Sequence, residues 1–258
     1  MSTLIQANNI SWQINHATIL NDISLELRSG EMLGIIGPNG AGKTTLLKIL
    51  ARINAPFNGT LTLLDKPYQE VELNNFARKI AYLEQNAPVN WPLLVEKVIA
   101  LGRSPYQNSY KKLSIEDNAA IKKAINATGI ERLLGRTIST LSQGEKMLVA
   151  LCRVFSSEPN VILADEPISA LDPYHQLLIL ELLQQQTRAD RNHAAIVVLH
   201  DLSHAAHFCD RLLLMHEGKI VSSGSAEEVL SSDNLRKFYK INCYSDFKQG
   251  LIQPLNRI

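Results

Sequence analysis

The chain has 258 residues, of which 45% are hydrophobic and 20% are charged, and this length and composition suit a globular protein with a buried core. Its 26 Lys and Arg residues nearly balance its 25 Asp and Glu residues, so the net charge is +1. This balance argues against a nucleic-acid-binding protein, which would need a basic surface. The cysteines Cys152, Cys209 and Cys243 are too widely spaced to suggest a disulfide framework and favour a reducing compartment.

The sequence offers no sign of export or of membrane insertion. The first residues lack the basic stretch and apolar run of a signal peptide, so none is expected. No apolar run approaches the roughly 20 residues that a membrane-spanning helix needs. If this protein serves a membrane, we therefore expect it to act at the membrane surface and not to span the membrane.

The first third of the chain is predicted to form strands around a glycine-rich loop. Ile23, Leu25 and Leu27 alternate with polar residues, which is the period of a half-buried strand. The apolar segment EMLGIIG predicts a second strand, and the helix TTLLKILARI follows the loop. The segments GTLTLLDK and KIAYLEQ predict two further strands.

From about residue 86 to residue 159 the pattern becomes helical. A capping box from Ser114 to Asp117 opens one predicted helix, and Gly129 is expected to end it. A second capping box, from Ser142 to Glu145, opens the helix in LSQGEKMLVALCR. A glycine in the first turn of that second helix is unfavourable, which suggests that some group comes very close to the helix end there.

Strands return after this helical segment. The continuously apolar runs VILAD and AAIVVLHD are typical of parallel strands covered on both faces. Between them, Asp172 is predicted to cap a helix that begins at Pro173. LLLMHEGKIVSSG predicts a hairpin, and only a short tail is expected after Lys240. The order strand, glycine-rich loop, helix indicates an α/β core with a nucleotide site at the carboxyl ends of parallel strands.

The segment GPNGAGKTT matches the phosphate-binding pattern G-x-x-x-x-G-K-[ST]. Glycines let backbone N–H groups approach phosphate oxygens, and the helix that follows directs its N-terminus at the phosphates. Lys43 is expected to reach the β and γ phosphates, and the Thr44 hydroxyl to bind Mg²⁺. The predicted nucleotide-binding residues of this loop are Gly37, Pro38, Asn39, Gly40, Ala41, Gly42, Lys43, Thr44 and Thr45.

Polar residues at three other strand ends complete the candidate site. Asp165 is expected to hold Mg²⁺, and Glu166 beside it to polarise the attacking water. His200 could contact the γ phosphate, while Gln85 could reach Mg²⁺ or water and report the nucleotide state to the helical segment. The predicted catalytic residues are therefore Glu166, His200 and Gln85, and the predicted metal ligands are Thr44, Gln85 and Asp165. Asp165 and Glu166 would also fit an acidic strand end that faces solvent, and His200 would also fit a structural histidine.

Six motifs in this order, GPNGAGKTT, YLEQ, LSQGE, VILADEP, SALD and VVLHD, resemble the ATP-binding subunit of ABC transporters, over about residues 4–239. The resemblance implies a single ABC ATPase domain that hydrolyses ATP with Mg²⁺. Its fold would be a P-loop NTPase (RecA-like) core with an antiparallel β subdomain and an inserted α-helical subdomain. Residues 1–85 and 159–240 would form the core, residues 86–158 the helical subdomain with the signature motif, and residues 241–258 the tail.

The resemblance also implies a head-to-tail dimer with two ATP molecules sandwiched between the subunits. In that dimer the signature residues Ser142, Gln143, Gly144 and Glu145 would cap the ATP on the partner's P-loop, and Asp172 would lie at the interface. Gly144 would then be small because the partner's phosphate comes close. The family usually has glycine where this chain has Gln143, whose side chain could crowd the nucleotide or add a hydrogen bond.

Two further features can be interpreted in more than one way. An aromatic residue usually stacks on the adenine in this family; the matching position holds Ile14, and Trp12 lies two residues earlier. In HDLSHAAHFCD, the residues His204, His207 and Cys209 could ligate a metal, although the family has no metal site there.

Within the family, VIALGRSPY and LDPYHQ resemble the ATPases of ferric-siderophore, haem and cobalamin importers, and VNWPLLVEKVIALGR also resembles those of zinc and manganese importers. The resemblance implies polytopic permease subunits as partners, which would dock on the segment that follows Gln85. It also implies a substrate-binding protein as an indirect partner. The implied location is the cytoplasmic face of the inner (plasma) membrane. The catalytic motifs also fit an exporter or lipid-transport ATPase and a soluble ABC ATPase of DNA repair or translation. The soluble class typically carries two cassettes or long coiled-coil insertions.

Overall fold

The computed structural model describes residues 2–56, 58–85, 92–107, 112–189 and 192–258. Its strands are β1 (Thr3–Ile14), β2 (Ala17–Arg28), β3 (Met32–Ile36), β4 (Asn58–Leu63), β5 (Lys66–Pro67), β6 (Ile80–Leu83), β7 (Val161–Asp165), β8 (Ala194–Val198), β9 (Arg211–His216), β10 (Lys219–Gly224), β11 (Ile241–Asp246) and β12 (Leu251–Arg257). Its α-helices are α1 (Lys43–Leu50), α2 (Leu73–Lys79), α3 (Val95–Ala100), α4 (Ile115–Thr128), α5 (Gln143–Ser156), α6 (Pro173–Ala189), α7 (Leu202–Phe208), α8 (Ala226–Val229) and α9 (Ser232–Asn234). Short 3₁₀ turns span Tyr68–Glu70, Leu101–Tyr106, Glu131–Leu133 and Ile138–Thr140, and a π turn spans Leu235–Tyr239.

A six-stranded sheet in the order β10-β9-β3-β8-β7-β6 forms the centre of the molecule. The strands from β9 to β6 run parallel, and β10 pairs antiparallel with β9. The apolar runs predicted as buried strands are β3, β7 and β8, and every residue of these three strands is buried. Because β3, β8, β7 and β6 are parallel neighbours, their carboxyl ends meet at one edge of the sheet.

A second sheet, in the order β2-β1-β4-β5, is antiparallel throughout. Ile23, Leu25 and Leu27 of β2 are all buried, so the predicted alternation is confirmed. They belong to a core that fills the space between the two sheets together with Leu46 and Leu47 of α1. A second core covers the other face of the central sheet with residues from α3, α5, α6 and α7. The predicted α/β class with an antiparallel subdomain and a helical insert is therefore confirmed.

The predicted helix caps are present in the structure. Both hydrogen bonds of the capping box form at Ser114 in front of α4 and at Ser142 in front of α5, and Gly129 ends α4 in the left-handed conformation. The side chain of Asp172 accepts a hydrogen bond from the backbone N–H of His175, as expected for the cap of α6. The predicted start of the helical segment at residue 86 and the Trp91 of its Trp-Pro stretch lie outside the described residues.

The segment VIALGRSPY forms the second half of α3 and the 3₁₀ turn Leu101–Tyr106, and this turn packs against α5. A Cβ on Gly102 would lie 2.2 Å from both the Arg153 carbonyl oxygen and the Ser156 Oγ, so only glycine fits there. The next residue, Arg103, is 4% exposed and donates from Nε to Asp117 Oδ1 at 2.8 Å. This segment therefore fixes the internal packing of the helical subdomain.

The residues after Lys240 form two strands, where the sequence predicts only a short tail. β11 and β12 form an antiparallel hairpin that contacts α7. The Ser203 Oγ both donates to the Ile252 carbonyl at 3.1 Å and accepts from the Ile252 N–H at 3.0 Å. The sequence could not predict this hairpin because its anchor is a contact with α7, nearly 50 residues earlier in the chain. Across the described ranges, no helix is long and apolar enough to cross a membrane.

Candidate functional site

The candidate site lies where four parallel strands end. Gly37 follows β3 directly, Glu166 follows β7 directly, and Gln85 and His200 lie two residues beyond β6 and β8. The structure thus brings the four predicted strand ends to one edge of the central sheet.

The P-loop folds tightly around the side chain of Lys43. Its Nζ donates to the carbonyl oxygens of Gly37 at 2.7 Å and Pro38 at 3.0 Å. Burial lowers the pKa of Lys43, while the nearby charges of Glu166 and Asp165 act in the opposite direction. The geometry places a positive charge among backbone amides at the start of α1, which is an arrangement suited to phosphate.

The glycine at position 37 is required by the backbone. Its φ is +149°, and a Cβ there would lie 2.1 Å from the carbonyl oxygen of Met215 on β9. Any side chain would therefore push the loop away from β9. Asn39 and Gly40, at the tip of the loop, are exposed, and Gly42 caps α1 with φ +96°.

The buried carboxylate of Asp165 contacts Thr44 and Tyr82. Thr44 Oγ1 donates to Oδ1 at 3.1 Å, and the Tyr82 hydroxyl donates to Oδ2 at 3.1 Å. Burial raises the pKa of Asp165, and these two hydrogen bonds partly offset that effect. Tyr82 lies in the motif YLEQ but is not among the residues predicted from the sequence, because the register of β6 beside β7 is a property of the sheet.

The carboxylate of Glu166 lies between two side chains from other strands. One oxygen accepts from Gln85 Nε2 at 2.6 Å, and the other is paired with His200 Nε2. Gln85 also approaches the Ser169 Oγ, at 3.4 Å, a residue that the sequence analysis did not single out. Gln85 therefore lies with the predicted catalytic residues, and its hydrogen bonds are to Glu166 and Ser169 rather than to Thr44 or Asp165.

Glu166 has an unusual backbone conformation, with φ +48°. A non-glycine residue in this region costs on the order of 1–3 kcal/mol and persists where its surroundings hold it in place. A cleft of about 120 Å³ adjoins its side chain and is lined by residues of the loops after β7 and β8, among them Ser169, Gln176 and His200. The Glu166 side chain is therefore accessible from this cleft.

The signature residues lie at the capped N-terminus of α5. Ser142 and Gln143 are exposed, Gly144 is buried, and Glu145 closes the capping box on Ser142. The hydrogen bond from the Ser142 N–H lowers the pKa of Glu145. A Cβ on Gly144 would lie 2.4 Å from Cγ of His175, so the imidazole of the same chain already requires glycine here. The sequence points only to a phosphate of the partner at this glycine, and the contact with His175 is seen only in the structure.

Asp172 holds that imidazole in place. Its Oδ2 lies 2.6 Å from His175 Nδ1, and the hydrogen bonds from His175 lower the pKa of Asp172. The side chain of Asp172 is 57% exposed at the surface beside α6. The structure therefore joins the predicted interface residue Asp172 to the signature helix through His175.

The structure also places the candidate adenine contacts and the candidate metal ligands. Trp12 packs partly buried against the core between the two sheets, whereas Ile14 at the end of β1 is 50% exposed. Cys209 packs against Gly34, and burial raises the pKa of its thiol. In the part of the chain that the structure describes, no group of three or more His, Cys, Asp or Glu side chains is arranged to hold a metal ion.

The family model of the ABC transporter matches residues 20–169, which is more than half of the chain. This chain belongs to the ABC transporter family. It is an ATP-binding subunit of that family, and such subunits hydrolyse ATP to drive transport.

Two relatives share over a third of their aligned residues with this family member. The ferric enterobactin transport ATP-binding protein of Escherichia coli is 34% identical, over 93% of this chain and 90% of its own. The hemin import ATP-binding protein of Thermobifida fusca is 36% identical, over 92% of this chain and 82% of its own. A solved metal-chelate type ABC transporter in an inward-facing conformation has the same fold, with a TM-score of 0.85 at 23% identity, covering 99% of this chain and 98% of that chain.

Proposed function

We propose that this ABC subunit is the ATP-hydrolysing motor of an importer for an iron chelate, haem or cobalamin. The observation that carries the ATPase part is the Glu166 carboxylate, held between Gln85 and His200 beside the P-loop. The cargo part is supported by the similarity to a ferric enterobactin and a hemin transport protein over more than nine tenths of the chain.

In the proposed reaction, the ATP phosphates lie on the amides of the P-loop, from Gly37 to Thr45, and Lys43 contacts the β and γ phosphates. Glu166 accepts a proton from a water molecule as that water's oxygen bonds to the γ phosphorus and the bond to the bridging oxygen breaks. His200 holds one carboxylate oxygen of Glu166 at the γ-phosphate side, and Gln85 holds the other. The preset carboxylate lowers the reorganisation that the reaction requires.

Thr44 and Asp165 are suited to hold Mg²⁺ with the nucleotide. Their oxygen atoms lie 3.1 Å apart, and hydroxyl and carboxylate oxygens are the ligands that Mg²⁺ prefers. When bound, Mg²⁺ would neutralise charge on the β and γ phosphates. A cation there would also favour the ionised form of Asp165, which burial alone disfavours. Gln85 remains a candidate ligand through its amide oxygen.

Cassettes of this family form dimers and work with membrane permease subunits. We propose the head-to-tail form, in which Ser142, Gln143, Gly144 and Glu145 cap the ATP on the partner's P-loop and Asp172 lies at the interface. The exposure of Ser142 and Gln143 at a capped helix N-terminus supports this role, because that end attracts anions.

We propose that the permease subunits dock beside the residues that follow Gln85, at the cytoplasmic face of the inner (plasma) membrane. Leu94 and Leu101, at the two ends of α3, are 39% and 51% exposed and provide apolar surface for such a contact. A substrate-binding protein would act on the other side and reach this subunit only through the permease. A zinc or manganese importer is the second candidate, because LLVEKVIALGR continues the Trp-Pro stretch that such ATPases share.

Purification of the chain from gently solubilised native membranes tests the motor role. We expect a polytopic membrane subunit to copurify; ribosomes or a soluble partner without a membrane protein would contradict the proposal. The purified complex in proteoliposomes, with ATP supplied on the side that this subunit faces, then tests the cargo. Transport of a ferric chelate, haem or cobalamin is expected, and transport of bare Zn²⁺ or Mn²⁺ alone would assign the second candidate.

A further inference from the structure

The imidazole of His175 lies against the backbone of Gly144. A Cβ on Gly144 would stand 2.4 Å from Cγ, 2.5 Å from Cδ2 and 2.7 Å from Nδ1 of that ring. All three distances are far below van der Waals contact, so an alanine at position 144 and the present position of His175 exclude each other. The first turns of α5 and α6 are therefore in contact where the His175 ring packs against Gly144.

The ring is also fixed from the other side. Asp172 Oδ2 lies 2.6 Å from Nδ1, and the backbone N–H of His175 donates to Asp172 Oδ1 at 3.1 Å. The His175 side chain is only 16% exposed, and Nε2 is buried with no hydrogen-bond partner among the described residues. Since Nδ1 faces a carboxylate oxygen at hydrogen-bond distance, the ring cannot turn without losing that contact.

The loop that carries Asp172 begins at Glu166. Gln176, one residue after His175, donates to the Leu171 carbonyl at 3.0 Å and approaches that of Ile168 at 3.5 Å. The first turn of α6 thus holds the loop from the catalytic glutamate to Asp172. A continuous set of contacts runs from Glu166 through this loop to His175 and on to Gly144.

We propose that His175 is a positioning residue that sets the N-terminus of α5 relative to the loop carrying Asp172, so that Ser142 and Gly144 can cap the ATP of a second subunit. The inference rests on the proposed head-to-tail dimer. His175 has no part in the chemical step. Its removal loosens the signature helix where the two helices meet, while the P-loop of the same chain keeps its own shape.

The test measures two events that this idea separates. In a Glu166→Gln parent, ATP-driven dimerisation is followed by analytical ultracentrifugation, and ADP binding by each chain is followed by fluorescence of a labelled ADP. We expect His175→Ala to weaken dimerisation at least about tenfold and to leave the Kd for ADP within about twofold. The control is His207→Ala, which removes an imidazole packed edge-on against Phe208 and should change neither.

A size exchange tests the contact itself. Gly144→Ala should impair dimerisation because the new methyl group meets the ring, and the double variant with His175→Ala should dimerise better than Gly144→Ala alone. His175→Phe fills the space without the bond to Asp172 and should recover part of the loss seen for His175→Ala. This rescue separates positioning by the ring from a loss of general stability.

Several results would overturn the inference. They are unchanged dimerisation in His175→Ala, a parallel loss of ADP binding and melting temperature, or a double variant no better than Gly144→Ala. The last result would mean that the partner's phosphate alone requires the glycine. If the parent itself does not dimerise with ATP, the proposed dimer fails and the inference fails with it, which is distinct from a failure confined to the His175 variants.

Discussion

Two polar clusters in this ABC subunit, each with a buried aspartate, are built from similar side chains but differ in how that aspartate is held. The first, the strand-end cluster, consists of Thr44, Tyr82, Gln85, Asp165, Glu166 and His200. The second, the Arg103 cluster, consists of Arg103, Tyr106, Asp117, Ser156 and Glu158 in the helical subdomain.

The Arg103 cluster gives its central charge many partners. Arg103 Nε donates to Asp117 at 2.8 Å, and Nη1 donates to the Ser156 carbonyl at 2.9 Å and to Glu158 at 3.2 Å. The Tyr106 ring centroid lies 3.7 Å from the guanidinium carbon. Such a network offsets the desolvation of its charge and fixes the structure around it.

The strand-end cluster is held under less favourable conditions. Burial raises the pKa of Asp165, whose side-chain partners are the hydroxyl groups of Thr44 and Tyr82, whereas the hydrogen bond from Arg103 lowers the pKa of Asp117. Backbone strain and exposure do not separate the two clusters, because Glu166 and Glu158 both have a positive φ and because His200 and Glu158 are each 43% exposed. We conclude that a buried carboxylate paired with a guanidinium stabilises the fold, whereas a buried carboxylate held only by hydroxyl groups can still accept a cation. Variants in the two clusters should therefore separate stability from activity.

The largest expected loss of stability comes from Arg103→Met. Removing the guanidinium leaves the buried Asp117 unpaired, which should lower the free energy of unfolding by about 3–5 kcal/mol. Denaturant unfolding measures this loss, and ATPase activity per folded molecule should change little. The control is Arg188→Met, which breaks an exposed pair with Asp210 at 3.6 Å and should cost less than about 1 kcal/mol. Equal losses of unfolding free energy for Arg103→Met and Arg188→Met would show that the Arg103 cluster stabilises the fold no more than an exposed ion pair does.

A smaller effect is expected for Tyr82→Phe in the strand-end cluster. The variant removes one hydrogen bond to the buried Asp165 carboxylate, an interaction of about 1.5–3 kcal/mol when the acceptor is charged. We expect the Mg²⁺ concentration needed for half-maximal ATPase activity to rise by roughly tenfold, because the ionised carboxylate loses a hydrogen bond that favours it, and the free energy of unfolding to fall by less than it does for Arg103→Met. Tyr244→Phe, at an exposed position on β11, is the control. If Tyr82→Phe loses stability without a change in its Mg²⁺ requirement, Tyr82 has a structural role like that of the residues in the Arg103 cluster.

The smallest expected effect is on the pH dependence of stability. The hydrogen bond from Arg103 holds the pKa of Asp117 below its ordinary value of 3.8. This contribution is therefore present above pH 3.8 and is lost as the pH falls through the lower pKa of the folded chain. Asp117→Asn should flatten the fall in unfolding free energy below about pH 4. Asp233→Asn, at an exposed residue of α9, should leave the slope unchanged.

Much of the fold could be predicted from local pattern. Several predicted features depend only on residues that are neighbours in the sequence, and the structure contains all of them. They are the strand periods, the two capping boxes, the cap at Asp172 and the order of strand, loop and helix. The hairpin of β11 and β12 could not be predicted, because its anchor, Ser203, comes from a distant helix. VIALGRSPY resembles a segment of importer ATPases, and the structure gives its Gly102 and Arg103 a packing role that the pattern alone does not reveal.

The candidate site, like the fold, could be predicted only in part. The strand-end positions of Asp165, Glu166 and Gln85 were predicted because parallel strands share an edge. Their partners were not: Tyr82 depends on sheet register, and His175 depends on how two helix ends meet. Such contacts across the sequence are fixed only when the chain packs.

The role of Glu166 is best tested by measuring ATP hydrolysis and melting temperature side by side for Glu166→Gln and for the native chain. We expect a fall in hydrolysis of about 10²–10⁴-fold, because the group that accepts the water's proton is lost. We also expect retained ATP binding, a stable ATP-bound dimer and a melting temperature no lower than that of the native chain. Glu181→Gln, an exposed substitution on α6, should hydrolyse ATP at the native rate. Hydrolysis by Glu166→Gln at the native rate would contradict the assignment of Glu166 and the contrast between the two clusters.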